Sequence, residues 1–418
     1  MIIVRDRITH DRSAGMDISK RDVKVCVRVR VPGSVPAEFT SSVTTWGAMT
    51  NEILELRKFL KHQHVTTVVM EATSDYWKPF YYLMEDILPV MLVNAKNARN
   101  IPGRKTDVSD AMWLAELAGD GLLRPSFIPP PPIRELRDLT RTRALVVRDR
   151  SREIQRLEKF LESAGIKLSS VVTNLTGVSS RAMLDALVAG ERDPRTLATL
   201  AQGRLKPRIP ELVEALNGRF GEHHVFLTRD HLEQIDAYDA RIEVLTARIN
   251  EKMKPFLVTR ELLVTIPGVS ILVADVIIAE TGGNMDVFPS AAQLASWAGV
   301  CPSSNESAGR KKSTRIQPGN KYLKGALGTA ALSASRSQNT YLSAKYRRIA
   351  SRRTPLKAIV AVEHSILIAV WNMLAQGVAY NDPGADYFTK LDPLKTRNKA
   401  IHQLESLGYE VVITPIAA

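Results

Sequence analysis

Cysteine is nearly absent from these 418 residues: there are two, Cys26 and Cys301, far apart and without CxxC spacing. That excludes a disulfide framework and a cysteine-based zinc site, and it fits a reducing cytoplasm. Long hydrophobic runs are lacking too. The most apolar stretch, Leu262 to Ala279, is broken by Pro267-Gly268 and carries Asp275, which makes it a poor membrane span. The N-terminus, Met1 to Arg12, is interrupted by charges and has no apolar signal-peptide core. A soluble, cytoplasmic protein is expected. There is no GxxxxGK[ST] phosphate loop, no aromatic-rich RNA-recognition strand, no zinc-knuckle spacing and no internal repeat.

What the chain has in excess is positive charge. Lys and Arg number 57 against 44 Asp and Glu, a formal net charge of +13 with a pI near 9.7. A surplus of that size points to a polyanionic partner, because each phosphate contact releases counterions; a solvated basic surface would give the same count. The length suggests two or three domains, and 44% hydrophobic residues suffice for packed cores.

Four regions separate by pattern. In 13–127, Val23, Val25, Val27, Val29 and Val31 recur at period two with Lys24, Arg28 and Arg30 between them, which predicts a strand with one solvated face. Ala14 to Ile18 reads as its partner strand, Trp46 to Lys61 as a helix, and Val65 to Met70 and Pro89 to Val93 as further strands. Antiparallel strands followed by alternating strands and helices describe a mixed α/β sheet. Pro129 to Pro132 marks a stiff linker.

Region 128–256 holds two charged amphipathic helices, Ile133 to Ser163 and about Arg229 to Lys254. They fit an antiparallel hairpin, an intermolecular coiled coil, or two surface helices of one bundle. Region 257–380 opens with helix, Ile266-Pro267-Gly268-Val269 turn, helix. This resembles a helix-hairpin-helix, whose turn offers N–H groups to a DNA phosphate. A basic segment follows, with Arg310, Lys311, Lys312, Arg315, Lys321 and Lys324, then Arg336, Lys345, Arg347, Arg348, Arg352, Arg353 and Lys357. Few acids interrupt it. Residues 381–418 form a short tail.

Four acids stand out by placement. Asp17 ends the first strand, Glu71 ends the Val65 to Met70 strand, and Asp107 and Asp110 open a helical stretch three residues apart. An acid at the end of a buried strand is costly to desolvate unless something positive sits beside it. Carboxylate oxygens bind hard divalent cations, and metals held this way can clamp the oxygens of a phosphodiester. A cap or a surface charge would explain any one of them; together, in this topology, they favour a metal site.

The order strand-Asp, strand-Glu, helix Asp-x-x-Asp is the DEDD pattern of RuvC-like domains with the RNase H fold. The strings Met16-Asp17-Ile18-Ser19-Lys20, Met70-Glu71-Ala72-Thr73 and Lys105 to Ala111 resemble the N-terminal domain of IS110-family transposases. Thr265 to Val269, Phe288 to Pro302, Glu306 to Lys312 and Pro318 to Lys324 resemble that family's second domain. The resemblance implies a bacterial, nucleoid-associated DNA transposase with Mg²⁺ or Mn²⁺ bound by Asp17, Glu71, Asp107 and Asp110. It implies a nucleophilic serine matched by Ser307, with Ser303, Ser304 and Ser313 nearby. It further implies multimeric assembly, as a dimer or tetramer, around donor and target DNA, and a bridge RNA as partner. Ser307 has no neighbouring His, so its activation would have to come from the acidic site. Two rivals stay open: a metal-dependent junction-resolving nuclease in which Ser307 is structural, and a non-catalytic basic nucleic-acid-binding protein.

Overall fold

The computed structural model describes residues 9–72, 74–94, 110–301, 305–307, 310–313 and 316–414, with residues 305–313 described by backbone alone. The chain falls into two compact units, Met1–Ile128 and Pro129–Ala418.

The first unit is built on five strands: β1 (Arg12–Ile18), β2 (Asp22–Arg30), β3 (Phe39–Gly47), β4 (Thr67–Glu71) and β5 (Val90–Val93). Their order is β3-β2-β1-β4-β5, with β3, β2 and β1 antiparallel and β1, β4 and β5 parallel. This is the RNase H-like arrangement. Val23, Val25 and Val27 of β2 turn to one face, where they pack with Met16 and Ile18. Helices α1 (Thr50–His62) and α2 (Trp77–Met84) close that core with Ile53, Leu56, Leu60, Phe80 and Met84.

The other face of β2, expected to be solvated, is partly covered. Cys26 is buried with Ala111 and Ala115 of helix α3 (Asp110–Gly119), and on that side Asp22 and Lys24 stay exposed while Arg28 and Arg30 are half-buried. Strand β3 lies where no strand was expected, and the helix predicted from Trp46 begins at Thr50. Its Thr40, Ser41, Ser42, Thr44 and Thr45 favour extended backbone without apolar alternation, and as an edge strand it is largely exposed.

The second unit is mainly helical. Its principal helices are α4 (Pro131–Ser163), α5 (Val178–Ala189), α6 (Glu222–Lys252), α7 (Leu257–Val264), α8 (Ile271–Thr281) and α9 (Ala291–Ala298). A hairpin of β6 (Asn305–Ser307) and β7 (Arg310–Ser313) follows, then α10 (Lys321–Arg336), α11 (Tyr341–Ala350) and α12 (Pro355–Gln376). The two long charged helices α4 and α6 pair with each other antiparallel within the chain. Glu135 meets Lys252 at 2.6 Å, Arg150 meets Asp239 at 2.5 Å and Glu153 meets His231 at 2.6 Å, so the start of α4 faces the end of α6. The segment between them supplies a core of its own, in which Leu184, Leu187, Leu197 and Leu212 pack with Leu157 and Leu161.

The Ile266-Pro267-Gly268-Val269 turn between α7 and α8 is turned inward. Ile266 and Val269 are buried, and a Cβ on Gly268 would stand 2.4 Å from the Ala330 carbonyl oxygen of α10. Helix α12 is long and apolar enough to cross a membrane by length and composition. Its Val362, Ile366 and Val370 are buried among α10 and α11, so it gives no real sign of a membrane span.

Gly15 sets how close α3 can come to β1. A Cβ there would stand 2.1 Å from the Ala111 carbonyl oxygen and 2.5 Å from the Ala115 nitrogen, both backbone atoms that cannot swing aside. Gly15→Ala is expected to destabilise the first unit by about 1–3 kcal/mol, the usual cost of overpacking. Urea denaturation followed by circular dichroism checks this; an unchanged midpoint would mean that α3 moves away freely.

Candidate active site

Strands β1 and β4 run parallel, with Met16 beside Met70. Asp17 and Glu71 are the next residue along each, so the pairing carries two acids to the same end of the sheet. Across the antiparallel edge Asp17 stands opposite Lys24. Asp110 is the first residue of α3 and occupies its first turn, where a carboxylate suits the positive end of the helix. Because Gly15 lets α3 lie directly on β1, Asp110 arrives close to Asp17. Burial pushes the Asp17 carboxyl above the usual range, and the negative charge of Asp110 pushes it further; Lys24 opposes both, and Asp22 adds a smaller push upward.

The structure therefore brings Asp17 and Asp110 together, with Glu71 at the end of the adjoining strand. Asp107 lies outside the described residues. Among the described residues no three His, Cys, Asp or Glu close into a group that could hold a metal ion. The donor chemistry of the pair nevertheless suits a hard divalent cation. Both partners are carboxylates, and neither makes an ion pair among the described residues, although Lys24 stands opposite Asp17 and acts against the rise in its pKa.

Ser307 ends β6, where its backbone pairs with that of Arg310 on β7. Lys311 and Lys312 continue β7, also described by backbone alone, and Arg315, like Ser303 and Ser304, lies outside the described residues. Lys321 and Lys324 sit in the first turns of α10. Lys321 Nζ lies 5.2 Å from the centre of the Tyr322 ring, and Lys324 eases the burial that raises the Glu363 carboxyl.

A cluster that the sequence reading did not single out lies just beyond this hairpin. Glu280, on α8, is fully buried. Arg141 of α4 grips it bidentately, Nε and Nη2 each 2.8 Å from one carboxylate oxygen, and the Asn320 amide donates to Oε2 at 2.6 Å. Arg137, one turn before Arg141, reaches Oε2 at 3.4 Å and donates to the Glu280 and Ala279 carbonyl oxygens. A legible signal did exist: Glu280 follows a nearly unbroken apolar run, Ile271 to Ala279, interrupted only by Asp275. An acid in such a helix needs a cation from elsewhere. Asp275 has one too, Arg260, at 2.6 and 2.8 Å.

From Ser307 to Val362 the chain holds 13 Lys and Arg and no Asp or Glu, a number equal to the formal surplus of the whole chain. Three of these cations are placed against their own helix. Arg352 and Arg353 directly precede α12 and Lys357 lies in its first turn, at the positive end of the helix dipole, where no acid offsets them. All three are exposed, and among the described residues none forms an ion pair. Five of the eight arginines of α4 differ: Arg137, Arg141, Arg150, Arg152 and Arg156 are paired with acids.

Two family models match the chain. One, for DEDD transposases of the IS110 type and described as "Transposase", covers residues 14–166; the other, described as "Transposase IS116/IS110/IS902 family", covers residues 260–347. The chain is also 28% identical over 301 residues to the insertion element IS900 uncharacterized 42 kDa protein of Mycobacterium paratuberculosis, covering 66% of this chain and 73% of that one.

The raised Asp17 carboxyl gives a test. Its ionised form is disfavoured in the metal-free fold, a penalty absent below the ordinary aspartate range that sets in as pH rises through the raised value. Asp17→Asn is therefore expected to raise the melting temperature of the metal-free protein at neutral pH. Mg²⁺ should stabilise the wild type, by about 2.7 kcal/mol at 100 times its Kd, and the variant far less. Thermal scans with and without Mg²⁺ decide; equal Mg²⁺ responses would remove Asp17 from any metal site.

Proposed function

We propose, from the premise that the chain belongs to the IS110 family of transposases and is an enzyme acting on DNA, that it cuts and rejoins strands through a covalent phosphoserine at Ser307. The observation that carries the reading is the placing of Asp17 and Glu71 at the same end of two neighbouring parallel strands, with the negative charge of Asp110 felt at Asp17. Residues 13–127 form the RuvC-like DEDD domain, in which Asp17, Glu71, Asp107 and Asp110 hold Mg²⁺ or Mn²⁺. A divalent cation, when bound, supplies positive charge to a phosphodiester oxygen and lowers the pKa of a coordinated hydroxyl. Residues 257–380 form the domain that carries the nucleophile.

In the proposed step the Ser307 Oγ–phosphorus bond forms as the bond from phosphorus to one strand oxygen breaks. The serine proton passes, by way of a base, to the departing strand, which leaves as a hydroxyl. A strand hydroxyl attacking the phosphoserine reverses the step, frees the serine and rejoins DNA without ATP. Arg310, Lys311, Lys312, Arg315, Lys321 and Lys324 neutralise the phosphate and its developing charge. The misplaced cations of α12 fit the same partner, since a phosphate relieves the repulsion that they suffer at the helix start. The reading includes donor and target DNA, a bridge RNA copied from DNA flanking the gene, and assembly as a dimer or tetramer.

The test is to incubate full-length protein with Mg²⁺ and a plasmid carrying its gene and flanking DNA, radiolabelled at internal phosphates, then denature. Wild type should acquire label; Ser307→Ala should acquire none and lose cleavage. Cleavage retained by Ser307→Ala would leave a metal-dependent nuclease, and DNA binding without any Mg²⁺-dependent cutting would leave a non-catalytic binding protein. Sequencing of copurifying RNA tests the guide: active protein free of any RNA from the flanking DNA would refute it.

The charge argument yields a separate measurement. In Arg352→Gln/Arg353→Gln/Lys357→Gln, the log Kd against log salt slope for a random duplex should become shallower by about 2–3. The metal-free melting temperature should hold or rise. An unchanged slope would leave these cations out of the DNA contact.

A further inference from the structure

We infer that Glu280 and Asn320 form a positioning couple that holds the Ser307 hairpin for attack, an inference that rests on the serine reading above. Ser307 lies in the segment that leaves α9 and returns at α10. The two ends of that segment meet backbone to backbone. A Cβ on Gly319 would stand 2.3 Å from the Ala298 carbonyl oxygen, and one on Gly299 would stand 2.8 Å from the Gln317 carbonyl oxygen and 2.9 Å from Gly319 Cα. Only glycine permits so close an approach. The segment that carries the hairpin thus departs and returns through a gate of two glycines, so its two ends are held together.

Asn320 is the next residue after the gate. Its side-chain oxygen accepts the Tyr322 and Leu323 N–H groups, each at 3.1 Å, and so caps α10. Its amide makes a second bond, to Glu280 Oε2 at 2.6 Å, on a helix forty residues upstream. Capping needs only the first function, which Ser or Asp performs equally well. The second bond ties the hairpin's return to a carboxylate that cannot move. Glu280 is fully buried, clamped by Arg141 through both oxygens and by Arg137 through side chain and backbone, while Arg141 in turn lies over the Tyr322 ring at 4.8 Å. Three elements, α4, α8 and α10, therefore converge on one residue beside the gate.

Glu280 is not a base for the serine. Its two oxygens are engaged by Arg141, Arg137 and Asn320, and none of its surface reaches solvent. Its effect is on where Ser307 stands. A nucleophile displaced by about 1 Å loses on the order of a hundredfold in rate even when the substrate still binds.

Two variants of the full-length protein test this on the labelled plasmid with Mg²⁺. Asn320→Ser keeps a capping oxygen and removes the amide donor. Asn320→Asp also keeps a capping oxygen, and sets a second carboxylate against Glu280 in place of the donor. Asn320→Ser should melt close to wild type and bind the plasmid with unchanged Kd, yet transfer label to protein about a hundredfold more slowly; Asn320→Asp should be slowed at least as much. Label transfer by Asn320→Ser at the wild-type rate overturns the couple. So does label transfer by Asn320→Asp at the wild-type rate. Wild-type protein that cuts the plasmid without ever acquiring label sinks the serine reading instead, and the couple with it.

Discussion

Glu280 has no access to water, and its charge is met from three directions by Arg141, Arg137 and Asn320. The helical unit depends on that arrangement, because it is where α4, α8 and the start of α10 are held to one another. A carboxylate taken out of water without a partner costs several kcal/mol. Two other buried acids of this unit follow the same rule, while Glu363 has only the charge of Lys324 acting against its burial. Asp275 has Arg260, and Glu153 has Arg156 and His231. In the sheet unit Asp17 departs from it. Asp17 is partly buried with Asp110 close by, and its carboxyl is driven up by burial and by like charge.

Close backbone contact is the second constraint, and glycines carry it in both units. Gly15 lets α3 lie on β1 so that Asp110 arrives beside Asp17. Gly268 sets the α7–α8 turn against α10. Gly299 and Gly319 close the base of the serine hairpin. At each of these positions any larger residue would push apart two elements that lie backbone to backbone.

Much of the sheet could be read from sequence because apolar alternation reports burial directly. Val23, Val25 and Val27 did so, and Asp17 and Glu71 could be placed at strand ends by counting. Strand β3 could not be read, since an exposed edge strand buries little and its Thr and Ser residues carry no period. The covering of Cys26 by α3 was equally hidden, because the contact partner lies some 85 residues away and only the small size of Gly15, Ala111 and Ala115 hints at it. The long helices α4 and α6 were legible as helices. Their mutual pairing was not, since a charged amphipathic stripe fits a partner in the same chain or another one equally well. Glu280 shows the same limit: its burial could be suspected from the apolar run around it, but which arginines answer it depends on the tertiary fold.

The distribution of charge over the two units bears on how the proposed reaction would be ordered. Every net positive charge of the chain can be assigned to residues 307–362, in the unit that carries Ser307, while Asp17 and Asp110 lie in the other. Uncompensated carboxylates repel a phosphate, whereas a field of unpaired cations attracts one at long range. DNA would therefore associate with the serine-bearing unit whether or not a metal is present. Approach of the same phosphate to Asp17 and Asp110 is favourable only once a divalent cation has reversed the local sign of charge. Binding and cutting are then separable by metal alone, and the separation arises from where the acids and bases fall along the chain, before any motion of one unit is invoked.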